Sequence, residues 1–365
     1  MPYEPTHIYY NVQIQNSSPN GSAKDCTFRE QRLIPLIEKP EDYFFSCIRF
    51  QVPTSTIPIL VVPVQPFPNT DTSKTIYSIT LSYNGIDAIE YIKWFPNTDT
   101  IEGSIINPKY QLSAVSPYTN SSDNFYYCHS YIHFINLVNT AFKTAFTTLN
   151  VDLSGSEPPY FTYDAITKLF SLNAQESVYD ILNTNPIKIY LNNDLYALLG
   201  GLNSIKTIMP VNGKSNQILI SNDKNNTIDG IIKFMQEYQT LVSWIGFKSI
   251  VITTGTIPII SEGIPVAQKF FSNTNVSETG TPTFLNIVSD YDALLDAGYA
   301  DFQTSFQYQP TSEYRLIDMF GTMPLTSFDI SVFWIDNYAN LHELSIMPNE
   351  TASFKFMFRK KKFNL

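Results

Sequence analysis

Four histidines, three cysteines and a scatter of carboxylates are the side chains from which any catalytic or metal site would have to be drawn. Cys128, His129 and His133 lie closest together. His129 and His133 stand four residues apart, a spacing that puts two imidazoles on one face of a helix, as zinc ligation requires. No glutamate separates them and no second Cys/His pair occurs, so a helix entrance packed with ring side chains is expected there, and no metal site. Gly213-Lys214-Ser215 has the ending of a phosphate-binding loop. The glycine that such a loop needs five residues ahead of its Gly-Lys pair is Ile208 here, and no buried strand leads straight in. Gly-x-Ser-x-Gly and Gly-x-Gly-x-x-Gly are absent. Glu237, Glu262, Asp290, Asp318 and Asp329 form no paired acid/base frame; Glu262 and Asp318, set among apolar neighbours, are expected to act as hydrogen-bond acceptors. Trp94 and Trp244 would be platforms for a sugar groove, against the plainer reading of core packing. The sequons Asn120-Ser121-Ser122 and Asn275-Val276-Ser277 matter only in a secreted chain. No catalytic, cofactor-binding or metal-binding residue is therefore assigned, no cofactor is expected, and the chain is taken as structural and non-enzymatic.

Composition points the same way. Of 365 residues 43% are hydrophobic and 14% aromatic, enough to bury a sizeable core, while only 15% are charged, against about 25% in an average soluble domain. A surface of Asn, Thr, Ser and Gln suits a protein pressed against neighbours, because desolvating an amide or hydroxyl costs far less than desolvating a lone charge. The net charge of −10 argues against nucleic-acid wrapping, which needs an excess of Lys and Arg. The exception is the run Arg359, Lys360, Lys361 and Lys362, an interaction tail that would make weak contact with nucleic acid or an acidic partner if it is not simply solvated. Cys26, Cys47 and Cys128 are odd in number and widely spaced, so no disulfide framework is implied. Met1-Pro2-Tyr3-Glu4-Pro5 has neither the basic nor the apolar region of a secretory leader. The longest apolar runs, such as Ile57–Val64, are strand-length, and no membrane span is expected.

The elements that must position these residues are mostly strands. Period-two alternation runs through Tyr10, Val12 and Ile14, through Tyr77, Ile79, Leu81 and Tyr83, through Phe328, Ile330, Val332 and Trp334, and through Phe354, Phe356 and Phe358; each pattern predicts a strand with one buried face. Asn84-Gly85 is a two-residue hairpin signal, since both residues tolerate positive φ. Phe-Pro-Asn-Thr-Asp-Thr occurs at 67–72 and again at 95–100, which is repeated turn chemistry and not a solenoid. Phe134, Leu137, Val138, Ala141, Phe142, Ala145, Phe146 and Leu149 recur at helical spacing and predict an amphipathic helix. Shorter helices are expected near Leu195–Leu199 and Ile228–Phe234. Strands, then one good helix in a mixed stretch, then strands again is the order of a β-sandwich carrying an insertion.

Several segments together carry a family likeness: Asp42–Pro53 followed by Ile57-Pro58-Ile59; Tyr160–Tyr163 with the strand Thr167–Leu172; Ile187–Leu199, including Leu191-Asn192-Asn193-Asp194-Leu195; Gln236-Glu237-Tyr238 leading to Trp244, Ser249-Ile250-Val251 and Ile257-Pro258-Ile259; and finally Glu313–Asp318, Asp329–Trp334 and Lys355–Lys361. In these the chain resembles the penton, or minor capsid, protein of virophages and of Maverick/Polinton-type viruses, over most of its length. The resemblance implies a mainly β fold, a single jelly-roll β-sandwich with an α+β insertion domain. The jelly roll is assigned to residues 1–95 and 226–365, and the insertion to 96–225, where the helix and mixed segment lie. It also implies a capsid protein of the virion, assembled in the host cytoplasm as homopentamers at icosahedral fivefold vertices, with the double jelly-roll major capsid protein as neighbour. The competing readings are a receptor-binding, fibre-like virion protein, which would favour trimers, and a carbohydrate-binding β-sandwich.

Overall fold

The computed structural model describes residues 6–17, 23–65, 71, 73–95, 125–149, 155–211, 213–222, 226–260, 262–264, 269–271, 276–278, 283–292, 305–309, 315–337 and 340–361. Its principal elements, in chain order, are β1 (His7–Gln15), β2 (Thr27–Gln31), β3 (Tyr43–Pro53), β4 (Lys74–Tyr83), β5 (Ile86–Lys93), α1 (Tyr131–Leu149), β6 (Tyr160–Asp164), β7 (Leu169–Gln175), β8 (Lys188–Leu191), α2 (Asn193–Leu199), β9 (Ser204–Val211), β10 (Lys214–Ile218), β11 (Thr227–Ile228), β12 (Ile231–Met235), β13 (Phe247–Thr253), β14 (Ile287–Asp292), β15 (Ser305–Tyr308), β16 (Ser327–Asp336), β17 (Leu341–Glu343) and β18 (Thr351–Lys360). They fall into two compact units: described residues of the first come from 6–58 and 246–361, and those of the second from 59–95 and 125–245.

The first unit is a β-sandwich. One sheet has the order β1-β18-β3-β15, and the other contains β17-β16-β13-β14, with β2 paired to the first half of β16. Alternation fixes which face of each strand turns inward. Tyr10, Val12 and Ile14 of β1 stand opposite Phe356, Phe354 and Ala352 of β18, so inward side chains meet inward side chains. The two sheets touch through aromatic rings: Phe328 of β16 lies 4.5 Å from Tyr10 and 5.5 Å from Phe356, and Tyr291 of β14 lies 4.4 Å from Phe50 of β3. Phe328, Ile330, Val332 and Trp334 are all buried, in the register that their alternation predicts.

The second unit is α+β. A five-stranded sheet β9-β10-β8-β4-β5 and a four-stranded sheet β11-β12-β7-β6 share a core with α1. The helix covers three residues more at its start than its periodicity predicts, and it buries Phe134, Leu137, Val138, Ala141, Phe142, Ala145 and Leu149. Asn84 and Gly85 take φ values of 50° and 79° between β4 and β5, the geometry expected of that dipeptide. In β4 both parities are buried: Tyr77, Ile79 and Leu81 face the core shared with α1, while Ser78 and Thr80 lie against the turn at Gly213 on the other face.

Two expectations differ from the structure. Ile228–Phe234 is not a helix but a hairpin, with Ile228 opposite Ile231 and Thr227 opposite Ile232. Asp229 and Gly230, at φ 51° and 77°, form the turn, and turn chemistry of this kind outweighs a helical apolar spacing of only a few residues. The second unit also begins at residue 59 and ends at 245, not at 96 and 225. Alternation shows that β4 and β5 each bury a face, but not which sheet they join, and they pair with β8 and β10 in the second unit. Most of the repeated hexapeptide and the sequon at 120–122 lie outside the described residues.

Candidate interaction surfaces

The Cys128–His133 cluster is an entrance to α1. Ser130 Oγ accepts a hydrogen bond from His133 N at 3.3 Å, capping the first turn. Cys128 donates its S–H to Ser130 O at 3.3 Å, and burial pushes its thiol up to about 12, away from the thiolate that a metal needs. Trp94 packs edge-on against His133 at 5.2 Å and stacks on Tyr126 at 5.3 Å. Among the described residues no group of three or more His, Cys, Asp or Glu side chains is gathered for a metal. Trp94 and Trp244 are buried, and Trp244 Nε1 donates to Leu198 O at 2.8 Å, so neither offers a face to a sugar.

Gly213-Lys214-Ser215 enters β10. Gly213 sits at φ 76°, and Lys214 Nζ pairs with Asp87 at 2.5 Å while lying 5.0 Å from the Tyr190 ring; the lysine is committed to neighbouring strands and not to a phosphate cradle. The carboxylates stay apart. Asp290 pairs with Arg315 at 2.7 Å and Asp318 with Lys361 at 2.9 Å. Glu237 is an exposed residue of the second unit, and Glu262 belongs to a two-stranded ribbon with Thr283–Leu285.

Two buried carboxylates do structural work that the sequence hides. Asp329 accepts from Thr254 Oγ1, Gly255 N, Thr256 N and Thr256 Oγ1 at 2.7–3.1 Å. Burial alone would raise its pKa, but the bonds from Thr256, Thr254 and Gly255 outweigh it and hold the carboxyl below the ordinary range. Asp336 accepts from Asn340 N and Nδ2 at 2.8 Å and meets His342 Nε2 at 2.9 Å, while the His342 ring stacks on Trp334 at 3.9 Å. This pair has the outline of a catalytic dyad, yet both members are buried within the sandwich and hold a turn. The sequence signals the turn at 336–340 but not the pairing. For Asp329 no local signal exists, since its donors lie more than seventy residues away and only the fold joins them.

The described part of the basic run is structured. Arg359 and Lys360 belong to β18, where Arg359 stands opposite His7 on one side and Phe44 on the other. Lys361 N donates to Asp42 O at 2.8 Å, and its Nζ pairs with Asp318. Lys362 lies outside the described residues. Arg359 and Lys360 are thus part of a ladder strand with neighbours on both sides, and not of a free tail.

The first unit also carries an apolar surface. Leu33, Ile34, Ile260, Phe320 and Met323 are all exposed. The backbone draws their segments together: Arg32 N donates to Thr326 O and Leu36 N to Leu325 O at 2.8 Å, Phe320 N donates to Pro258 O at 3.0 Å, and Ile259 bridges Met319. All lie past the Thr253 end of β13, away from Gly246. Side chains of this kind, clustered on one end of a domain, mark a surface for a partner.

Comparison with known proteins matches this architecture. Residues 8–360 match the family described as Sputnik minor capsid protein V18/19. The chain is 30% identical over 162 residues to the uncharacterized protein V18 of Sputnik virophage, covering 43% of this chain and 92% of that one. It is 31% identical over 215 residues to the structural protein V19 of the same virophage, covering 55% and 94%. Among solved structures, a chain of the Sputnik virophage, seen by cryo-electron microscopy, superposes with a TM-score of 0.82 at 29% identity, over 99% of this chain and all of that one. The mavirus penton protein superposes with a TM-score of 0.65 at 13% identity, over 98% of this chain and all of that one, a likeness of fold. With a family match that spans both units, the chain belongs to the Sputnik minor capsid protein V18/19 family.

Proposed function

We propose that the chain is a penton: it assembles as a homopentamer at the fivefold vertices of an icosahedral capsid, contacts the capsomers of a double jelly-roll major capsid protein, and acts by binding alone. The observation that carries this reading is the likeness to the mavirus penton protein, which extends through both units and is not confined to a common sandwich. The apolar end of the first unit supports it, as a surface that suits a capsid neighbour better than solvent. A closed ring gives each subunit two unlike neighbours and so needs two complementary patches, each specific interface burying on the order of 1,200–2,000 Å². A surface poor in charge lowers the desolvation cost of every such contact. Native mass spectrometry of the full chain, alone and with the major capsid protein, is the test. A pentamer is expected; a trimer would favour the fibre-like reading, and a monomer that never joins particles would end the vertex reading.

A further inference from the structure

The second unit contains an open depression of about 330 Å³ whose lining includes Gln65, Ser78, Tyr91, Asn193, Asp194 and Ser215. It is built on a firm floor. Ser78 and Tyr91 stand opposite each other across β4 and β5, and Ser78 and Ser215 are buried. The rim at 192–194 is anchored because Asn192 N donates to Ser78 O at 3.1 Å and Asn192 Nδ2 to Ile76 O at 2.7 Å. Gly213 leaves the space open: a Cβ there would stand 3.3 Å from Ser78 Oγ. Around this floor the polar groups are unspent. The Gln65 carboxamide, the Tyr91 hydroxyl and the Asp194 carboxylate make no hydrogen bond among the described residues, and Asn193 uses only its Oδ1, accepting from Asn216 Nδ2 at 3.2 Å.

We propose that this depression is a binding site for a neutral sugar. Amide, hydroxyl and carboxylate groups converging on one small space can each donate to or accept from vicinal hydroxyls, and a tyrosine ring offers an apolar face to the C–H side of a pyranose. The volume is at the low end for ligand sites and suits one sugar unit better than a larger ligand. Among the described residues no Lys, Arg or His lines it, so these residues offer no counter-charge for an acidic sugar. The single carboxylate among the described lining residues is too little for a calcium ion, which gathers six to eight oxygens. The reading does not depend on how the chain assembles.

The test uses the full-length protein and saturation-transfer NMR with D-glucose, D-galactose, D-mannose, N-acetylglucosamine and N-acetylneuraminic acid, followed by titration. At least one neutral sugar is expected to bind at millimolar level. Tyr91→Ala, and separately the pair Gln65→Ala with Asp194→Ala, are expected to weaken it about tenfold or more. The Gln65/Asp194 variant loses no side-chain hydrogen bond among the described residues, so its melting temperature is expected to stay close to the parent's, apart from a small helix-end contribution of Asp194, and it separates a lost site from a lost fold. The proposal is overturned if no neutral sugar binds at tens of millimolar, if N-acetylneuraminic acid is preferred, if calcium binds instead with dependence on Asp194, or if the Gln65/Asp194 variant binds like the parent.

Discussion

A buried carboxylate persists only where donors surround it, and Asp329 shows what such a residue holds in place. Its four donors come from three consecutive residues, Thr254, Gly255 and Thr256, so one side chain pins a whole turn to β16. Asp329→Ala leaves those donors unpaired and is expected to cost about 2–4 kcal/mol, read as a lower denaturation midpoint. His342 couples to pH in the same direction as Asp329, since its folded-state pKa is also depressed, but in a higher pH range. Burial pulls its pKa down, and Asp336 only partly restores it. The folded state therefore holds the imidazole neutral while the unfolded chain still takes up a proton. Stability from this residue is intact above the unfolded value near pH 6.5 and falls as the pH drops below it. The melting temperature of His342→Gln, which keeps a donor for Asp336, should decline less between about pH 7 and pH 5 than that of the parent; equal slopes would show that His342 is not the responsible group.

At the level of elements, legibility followed the length of the pattern. Helix α1 was readable because its apolar positions repeat through about four turns, and a strand cannot satisfy that period. Its central residue tests the packing: Phe142 is fully buried, and Phe142→Asp should cost more than about 3 kcal/mol, measured by urea unfolding of the full chain. The hairpin at Asn84-Gly85 was equally plain. The hairpin at Asp229-Gly230 was missed because Ile228, Ile231 and Ile232 also satisfy helical spacing, and so short a window cannot choose between periods. What no window contains is pairing between distant segments. The bonds of Asp329 and the grouping of Leu33 and Ile34 with Phe320 and Met323 come from residues far apart in the chain. Most of the fold was therefore visible in the sequence, whereas the surfaces and buried clusters were not.

For the whole molecule, a minor capsid protein of the virion, assembly should be separable from folding if, as proposed, the apolar end of the sandwich meets a capsid neighbour. Leu33→Asp with Met323→Asp changes two exposed side chains, so the isolated protein should keep its stability to within about 0.5 kcal/mol. Co-assembly with the major capsid protein, followed by sedimentation of particles, should fall sharply; unchanged incorporation would place the contact elsewhere. The position of β18 has a further effect, on the order in which the molecule forms. That strand lies between β1 and β3 and completes their sheet, yet more than 300 residues of chain separate it from β1. During synthesis at about 5–20 residues per second, β1 and β3 leave the ribosome long before their shared partner exists. The second unit draws its strands from one intervening stretch and can form in that interval. The sandwich cannot close until residues 351–360 have been made, so a translation product cut short before them lacks an interior strand and has no finished body to contribute to a shell. Sheet order here acts as a check that only subunits translated through residue 360 pass.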